Sequence, residues 1–241
     1  MWAFCLRSFV REYGWSFLRR ISLPHPIRTT KAFLNVGALD VSGDMINISN
    51  GEISRIPGGE GAIVGVGFCM KPKNPPCISG KSGHDCHYLE HLLQYGTTNI
   101  PGCCRICRIR EIGLMTLKAG AAFYIMTSAQ HILNDVFMPA LDEKRFTVGL
   151  FILCRYSLRP FAVGMIASGI QGLMFPFERG DCRDYTTWLQ ADRGMKEDQT
   201  EIKETNLQTI RELLAGTTQE QTANTYFERR GNILQPRIQA K

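Results

Sequence analysis

His87-Tyr88-Leu89-Glu90-His91 is the stretch of this 241-residue chain whose residue types and spacing point most directly to chemistry. Residues four apart on a helix share a face, so His87 and His91 can offer two imidazole nitrogens to one metal ion. Glu90 stands beside them, where a carboxylate can take a proton from a metal-bound water. Together they make half of a hydrolytic zinc site. Leu89, Leu92 and Leu93 supply an apolar stripe away from the histidines, and Gly96 stands where a left-handed cap ends a helix. Residues 86 to 95 are therefore expected to be helical.

Thiols are the second chemical resource. Nine cysteines fall at 5, 69, 77, 86, 103, 104, 107, 154 and 182, flanking the histidine segment on both sides. Cys104-x-x-Cys107 is the one pair at metal-knuckle spacing, and the rest form no second such pair. Cys69, Cys77, Cys104 and Cys107 are the candidate ligands of a second centre, a structural zinc or an iron-sulfur cluster. Buried cysteine also serves as a small hydrophobe in a reducing compartment, and this reading competes at every position.

The run from His87 to Gly102, with Gly96-Thr97 and Pro101-Gly102 at unbroken spacing, resembles the zinc-helix segment of pitrilysin-type metallopeptidases. It looks most like the mitochondrial processing peptidases and the core subunits of the cytochrome bc1 complex. Ile48-Ser-Asn-Gly51 before Ala62 to Gly67 is similar to that family's opening hairpin. Leu133 to Phe146 is similar to the helix and acidic turn before the distal zinc ligand. Glu204 to Ile210, with Tyr226 and Arg229-Arg230, resembles the close of the same domain. The resemblance implies an α+β fold: a single pitrilysin-like domain with a largely antiparallel sheet and packed helices. It also implies zinc on His87 and His91, Glu90 as proton acceptor, a peptide substrate, and a partner subunit supplying a second domain.

One departure weighs against the enzyme. The family's third ligand is a glutamate in the helix after the acidic turn, and its place falls near Gly149 within Thr147 to Cys154, where no carboxylate stands. A catalytic zinc takes three protein ligands and one open position. Cys86, Cys154, Glu178 and Glu204 are the candidates to fill the gap.

Charge is unevenly placed. Residues 1 to 31 hold Arg7, Arg11, Arg19, Arg20, Arg28 and Lys31 against Glu12, which is +5 of the formal +6. The remainder is nearly neutral, so a basic surface for nucleic acid is not expected. Trp2, Phe4, Phe9, Trp15, Phe17 and Leu18 interleave with these arginines, a pattern that resembles a mitochondrial targeting segment and also suits a membrane-surface or partner-docking arm. Arg20-Ile21-Ser22 would suit cleavage after import. The domain reading is thus an arm at 1–31, a domain at 32–216 and a polar tail at 217–241.

Pro160 to Phe177 is eighteen uncharged residues, but its two prolines and its glycines argue for a buried helix and turn, not a membrane span. Strands are expected at 62–68 and 121–127, and helices at 104–118, 129–138 and 200–214. Two functional classes emerge. The favoured one is a non-catalytic scaffold subunit of a mitochondrial respiratory hetero-oligomer on the matrix side. The alternative is an active zinc endopeptidase cleaving presequence peptides. A third reading is a cysteine-ligated metal or iron-sulfur protein.

Overall fold

Short apolar runs punctuated by glycine build the centre of the fold, because a strand covered on both faces needs no polar alternation. The computed structural model describes residues 14–49, 51–59, 61–95, 99–196, 198–215 and 227–237. Its strands are β1 (Ile46–Asn47), β2 (Ala62–Gly67), β3 (Ala122–Met126), β4 (Val148–Leu153), β5 (Gln171–Arg179), β6 (Glu201–Ile202), β7 (Phe227–Arg230) and β8 (Ile233–Pro236). All but β6 lie on the path β1-β5-β4-β2-β3-β8-β7, and β6 pairs with β5.

The sheet is mixed. Among the described strands, β5-β4, β4-β2 and β2-β3 pair in parallel, while the four pairings outside them are antiparallel. The expected antiparallel sheet therefore holds at the margins and gives way to a parallel centre. A parallel neighbour requires a crossover, usually helical. Three are present. From β2 to β3 the chain forms α3 (His87–Tyr95), α4 (Gly102–Arg105) and α5 (Arg108–Lys118). From β3 to β4 it forms α6 (Ala129–Ile132), a π turn at Leu133–Phe137 and α7 (Met138–Asp142). From β4 to β5 it forms α8 (Arg155–Ser168), closed by Gly169 in the left-handed region at φ 83°. Ahead of the sheet lie α1 (Gly14–Phe17), a π turn at Leu18–Ser22 and α2 (Pro26–Gly37), and two more helices follow β5, α9 (Tyr185–Asp192) and α10 (Glu204–Ala215).

Alternation sorts the strand side chains onto two cores. Val64, Val66, Phe123, Ile125, Leu150, Ile152, Leu173 and Phe175 pack with Leu89, Ile109, Ile112, Leu207 and Ile210 from α3, α5 and α10. Ile63, Tyr124, Phe151, Leu153 and Met174 pack on the opposite face with Ala32 and Val36 of α2, Val136 and Phe137 of the π turn, and Leu158 and Ala162 of α8. Helices on both faces of a parallel centre in the order β5-β4-β2-β3 define a doubly wound arrangement with its topological switch between β2 and β4.

Several expectations are corrected here. Thr147 to Cys154, aligned with a ligand-bearing helix, is mostly strand β4, whose residues Gly149 to Leu153 are buried. Gly149 faces Gly172 across the β4-β5 ladder, and a Cβ on Gly172 would lie 1.9 Å from the Gly149 carbonyl oxygen. That spot has room for backbone alone. The 48–51 segment does not form a hairpin with β2: β1 pairs with β5, and Asn50 lies outside the described residues. In place of a polar tail, 227–236 form a hairpin whose second strand extends the sheet beside β3. Tyr226 lies outside the described residues, as do residues 1–13 of the arm. The described end of that arm belongs to the domain, since Phe17 and Ile21 are buried with α2 in the second core. Pro160 to Phe177 is the buried helix and turn expected, continuing into β5, and no described helix is long and apolar enough to cross a membrane.

Candidate functional site

In an open parallel sheet the strand ends diverge at the switch point and leave a crevice at the carboxyl edge. Here that edge carries Gly67 to Cys69 after β2, Met126 and Thr127 after β3, Leu153 and Cys154 after β4, and Phe177 to Cys182 along and after β5. From these ends Gly67, Phe68, Cys69, Met126, Thr127, Leu153, Cys154, Phe177 and Cys182 line one cleft of about 140 Å³, walled by Phe161, Leu133 and Trp188. The lining is mostly apolar; its polar groups are Thr127, Gln130 and Asp192 on the β3 side and Ser157 on the rim that carries Cys154 and Cys182.

That rim is a thiol-carboxylate cluster. Sγ of Cys154, a carboxylate oxygen of Asp181 and Sγ of Cys182 lie within 4.8 Å of one another, and among the described residues this is the one group of three or more His, Cys, Asp or Glu side chains that does so. It can hold a metal ion. Parallel pairing of β4 with β5 places the two strand ends side by side, so residues 28 apart in sequence meet. Gly180, at φ 65°, turns the chain after β5, and a Cβ there would lie 2.2 Å from the Gln199 carbonyl oxygen. This turn delivers Asp181 and Cys182 to the rim.

The electrostatics favour charge on Cys182. The Cys154 thiol donates to it, and that hydrogen bond outweighs burial in holding Cys182 below the ordinary thiol value. The ammonium of Lys196, itself buried, adds to the effect with Nζ 3.6 Å from Cys182 Sγ and a second bond to the Gly180 carbonyl. Donating to Cys182, and being buried, Cys154 is raised well above the usual range. Burial also raises Asp181, although its oxygens accept from the backbone amides of Arg155 at 3.0 Å and Cys182 at 2.7 Å. Ser157 Oγ sits 2.8 Å from Cys154 Sγ and accepts from Trp188 Nε1 at 2.9 Å, fixing the neighbouring wall.

A polar chain borders the cleft at β3. His84 Nδ1 donates to the Ile125 carbonyl at 2.7 Å, which leaves Nε2 to accept from Thr127 Oγ1 at 3.0 Å. The Thr127 hydroxyl in turn accepts from His131 Nδ1 at 2.9 Å. Burial lowers the His84 pKa and keeps the ring in the neutral form this accepting role requires.

The histidine motif lies elsewhere. His87 and His91 do share a face of α3, with ring centroids 5.7 Å apart. No third ligand joins them among the described residues. Glu90 is ion-paired to Arg229 of β7, and the His91 ring packs tilted against Tyr95 with centroids 4.4 Å apart. Of the replacements considered, Glu204 pairs with Arg108 and Arg211, Glu178 lines a separate surface pocket, Cys86 lies among other cysteines, and Cys154 belongs to the rim cluster.

The proposed quartet of Cys69, Cys77, Cys104 and Cys107 is corrected in one member. Cys69 lies at the carboxyl end of β2 in the main cleft, where burial pushes its thiol up to about 11. The other three line a different pocket with Cys86. Sequence reasoning counted Cys182 among the thiols but gave it no role, and it did not single out Asp181. The available signal was an apolar run ending in Cys154 before a helix, and a second ending in Gly-Asp-Cys182.

No family model, curated protein or solved structure matches the chain. What fold and site define is a doubly wound α/β domain with a sulfur-rich crevice at its switch point.

Proposed function

We propose that this protein binds a small, mostly apolar molecule in the carboxyl-edge cleft beside a soft divalent metal, zinc by preference, held by Cys154, Asp181 and Cys182. The observation that carries this reading is the convergence of those three ligand atoms, with Cys154 and Cys182 themselves lining the cleft and Asp181 beside them. Thiolate and carboxylate donors suit zinc, and three protein ligands leave a fourth position for substrate or solvent. A metal so placed supplies Lewis acidity to a polar group of the bound molecule. The chain's own residues do the rest: Lys196 balances the thiolate charge, the Arg155 amide orients Asp181, and the aromatic walls exclude water from the apolar part of the ligand. The testing experiment is titration of the metal-free protein with zinc and cobalt. One equivalent should bind, with sulfur-to-cobalt charge-transfer absorption that Cys182→Ser removes. Unchanged absorption in that variant would reject the site.

A second reading keeps the scaffold role, in which this is a non-catalytic subunit of a mitochondrial hetero-oligomer that meets a membrane or partner through its N-terminal region. It is favoured by one observation: Trp15, Leu23, Ile27 and Leu34 are each at least 65% exposed along α1 and α2, beside Arg19, Arg20, Arg28 and Lys31. An apolar strip flanked by cations suits an anionic lipid surface. Cosedimentation with anionic vesicles tests it, and failure of the full chain to bind them would remove its support. The peptidase alternative retains the His87 and His91 pair and requires a third ligand from a partner.

A further inference from the structure

Thr127 follows β3 directly and lines the cleft at its β3 end, two strands away from the β4 end that carries Cys154. Its hydroxyl oxygen lies 3.0 Å from Nε2 of His84, which comes from the loop between β2 and α3. His84 Nδ1 donates to the Ile125 carbonyl at 2.7 Å, so its one ring proton is committed there and Nε2 presents a lone pair to the hydroxyl. Packing fixes the ring. Tyr124, fully buried, stacks on it with centroids 5.4 Å apart, and His131 meets it edge-on at 4.8 Å. His131 Nδ1 in turn donates to Thr127 Oγ1 at 2.9 Å, and its backbone N–H donates to Ser128 Oγ at 3.2 Å, which sets the turn that brings it there.

A hydroxyl, a base within hydrogen-bond reach and a third group that fixes the base's tautomer are the parts of an activated oxygen nucleophile. Burial lowers the His84 pKa and keeps the ring neutral, the form that can take a proton. The His131 N–H adds a donor to the oxygen on which negative charge develops. Gln130 lines the same cleft, and its carboxamide gives one N–H to Asn134 at 3.3 Å, which leaves a second for a developing oxyanion. The apolar walls and a volume of about 140 Å³ limit what can be presented to Thr127. A dry cavity of about 150 Å³ takes a benzene ring. The acyl part is therefore a short aliphatic chain or a single ring.

We infer that Thr127 is a nucleophile that accepts the acyl group from esters of small apolar carboxylic acids, with His84 as its general base. The Thr127 Oγ1–carbonyl carbon bond forms and the bond from that carbon to the alcohol oxygen breaks. The hydroxyl proton passes to His84 Nε2 and then to the departing alcohol. Water repeats the sequence on the acyl-threonine, which releases the acid and restores the hydroxyl, and no oxidation state changes. The inference rests on the reading of the cleft as the ligand site, and not on the metal.

The test treats the full, metal-free chain with p-nitrophenyl butyrate, follows nitrophenolate release, and maps the acid-quenched protein by mass spectrometry. About one butyryl group per chain is expected, on Thr127, and stable to neutral hydroxylamine as an oxygen ester is and a thioester is not. Thr127→Val, which removes the hydroxyl and keeps the branched shape, should abolish this adduct. His84→Gln should slow acylation at least about 100-fold. Should these variants fail to fold, the wild-type map decides alone. Absence of both a Thr127 adduct and ester turnover, an adduct confined to Cys69, Cys154 or Cys182, or an undiminished rate in folded His84→Gln would each overturn the inference. A zinc titration run alongside separates the two readings: zinc binding without acylation removes this inference alone, and acylation of Thr127 without zinc binding removes the metal alone.

Discussion

Two sulfur-bearing regions of this molecule handle charge in opposite ways. At the carboxyl edge, Cys182 receives a hydrogen bond from Cys154 and faces the Lys196 ammonium, and both hold its thiol below the ordinary value. Around Lys71 the same residue types sit where burial dominates: Cys86 is pushed up to about 12, Cys107 is also raised, and the lysine itself is lowered. One region lowers a thiol with a donor and a cation; the other raises its thiols by burial. The contrast teaches that cysteine count alone says little, because the partner cation and the aim of nearby amides decide what each thiol can do.

The comparison breaks most visibly where the fold itself is disturbed. Gly172→Ala would drive a Cβ into the Gly149 carbonyl and separate β4 from β5, and with them Cys154 from Cys182. A loss of at least about 3 kcal/mol is expected in urea unfolding, together with loss of the rim metal site. Gly149→Glu, which puts a carboxylate where the resemblance to pitrilysin-type peptidases would place a third ligand, should destabilise comparably and recruit no zinc to His87 and His91, because the position lies inside the sheet.

Next in size is metal affinity. Cys182→Ser should weaken zinc binding by at least roughly 10-fold in a competition assay.

A smaller effect sharpens the second region. Burial raises Glu111 on its own, but hydrogen bonds from Arg211 and Arg108 overcome this and hold its carboxyl below the ordinary range. The network ties the first turn of α5, directly after Cys107, to α10. Since the folded pKa is depressed, the stabilisation is complete above the unfolded value and disappears as pH falls through the depressed one. Arg211→Met should therefore cost about 1 kcal/mol at neutral pH, with the difference from wild type vanishing in acid, as read by thermal melts across pH.

Smallest is Glu90→Gln. It breaks a partly exposed pair with Arg229, costs less than about 1 kcal/mol, and should not alter zinc content.

These regions also differ in how far they could be read from sequence. Helix spacing is local, so the α3 helix, the shared face of His87 and His91 and the apolar stripe of α10 follow from residues a few positions apart. Three of the four pocket cysteines were legible for a similar reason, since Cys104-x-x-Cys107 and Cys77 flank that helix. Strand order was not legible. β2, β3, β4 and β5 are runs buried on both faces, and such runs carry no period that says which neighbours which or in what direction. The 147–154 run was accordingly aligned with a helix. Cys154 meets Cys182 solely through the parallel register of β4 and β5, and Cys69 was grouped with the wrong thiols because the turn directly after β2 keeps it at the cleft while Cys77, further along the same connection, reaches the other pocket.

The central claim concerns Cys154, Asp181 and Cys182, and X-ray absorption at the zinc edge addresses it most directly. With one equivalent of zinc on the full chain, two sulfurs at about 2.3 Å and lighter atoms at about 2.0 to 2.2 Å should surround the metal. A shell dominated by imidazole nitrogen would return the site to His87 and His91, a shell of four sulfurs would place zinc in the Lys71 pocket, and either would contradict the account.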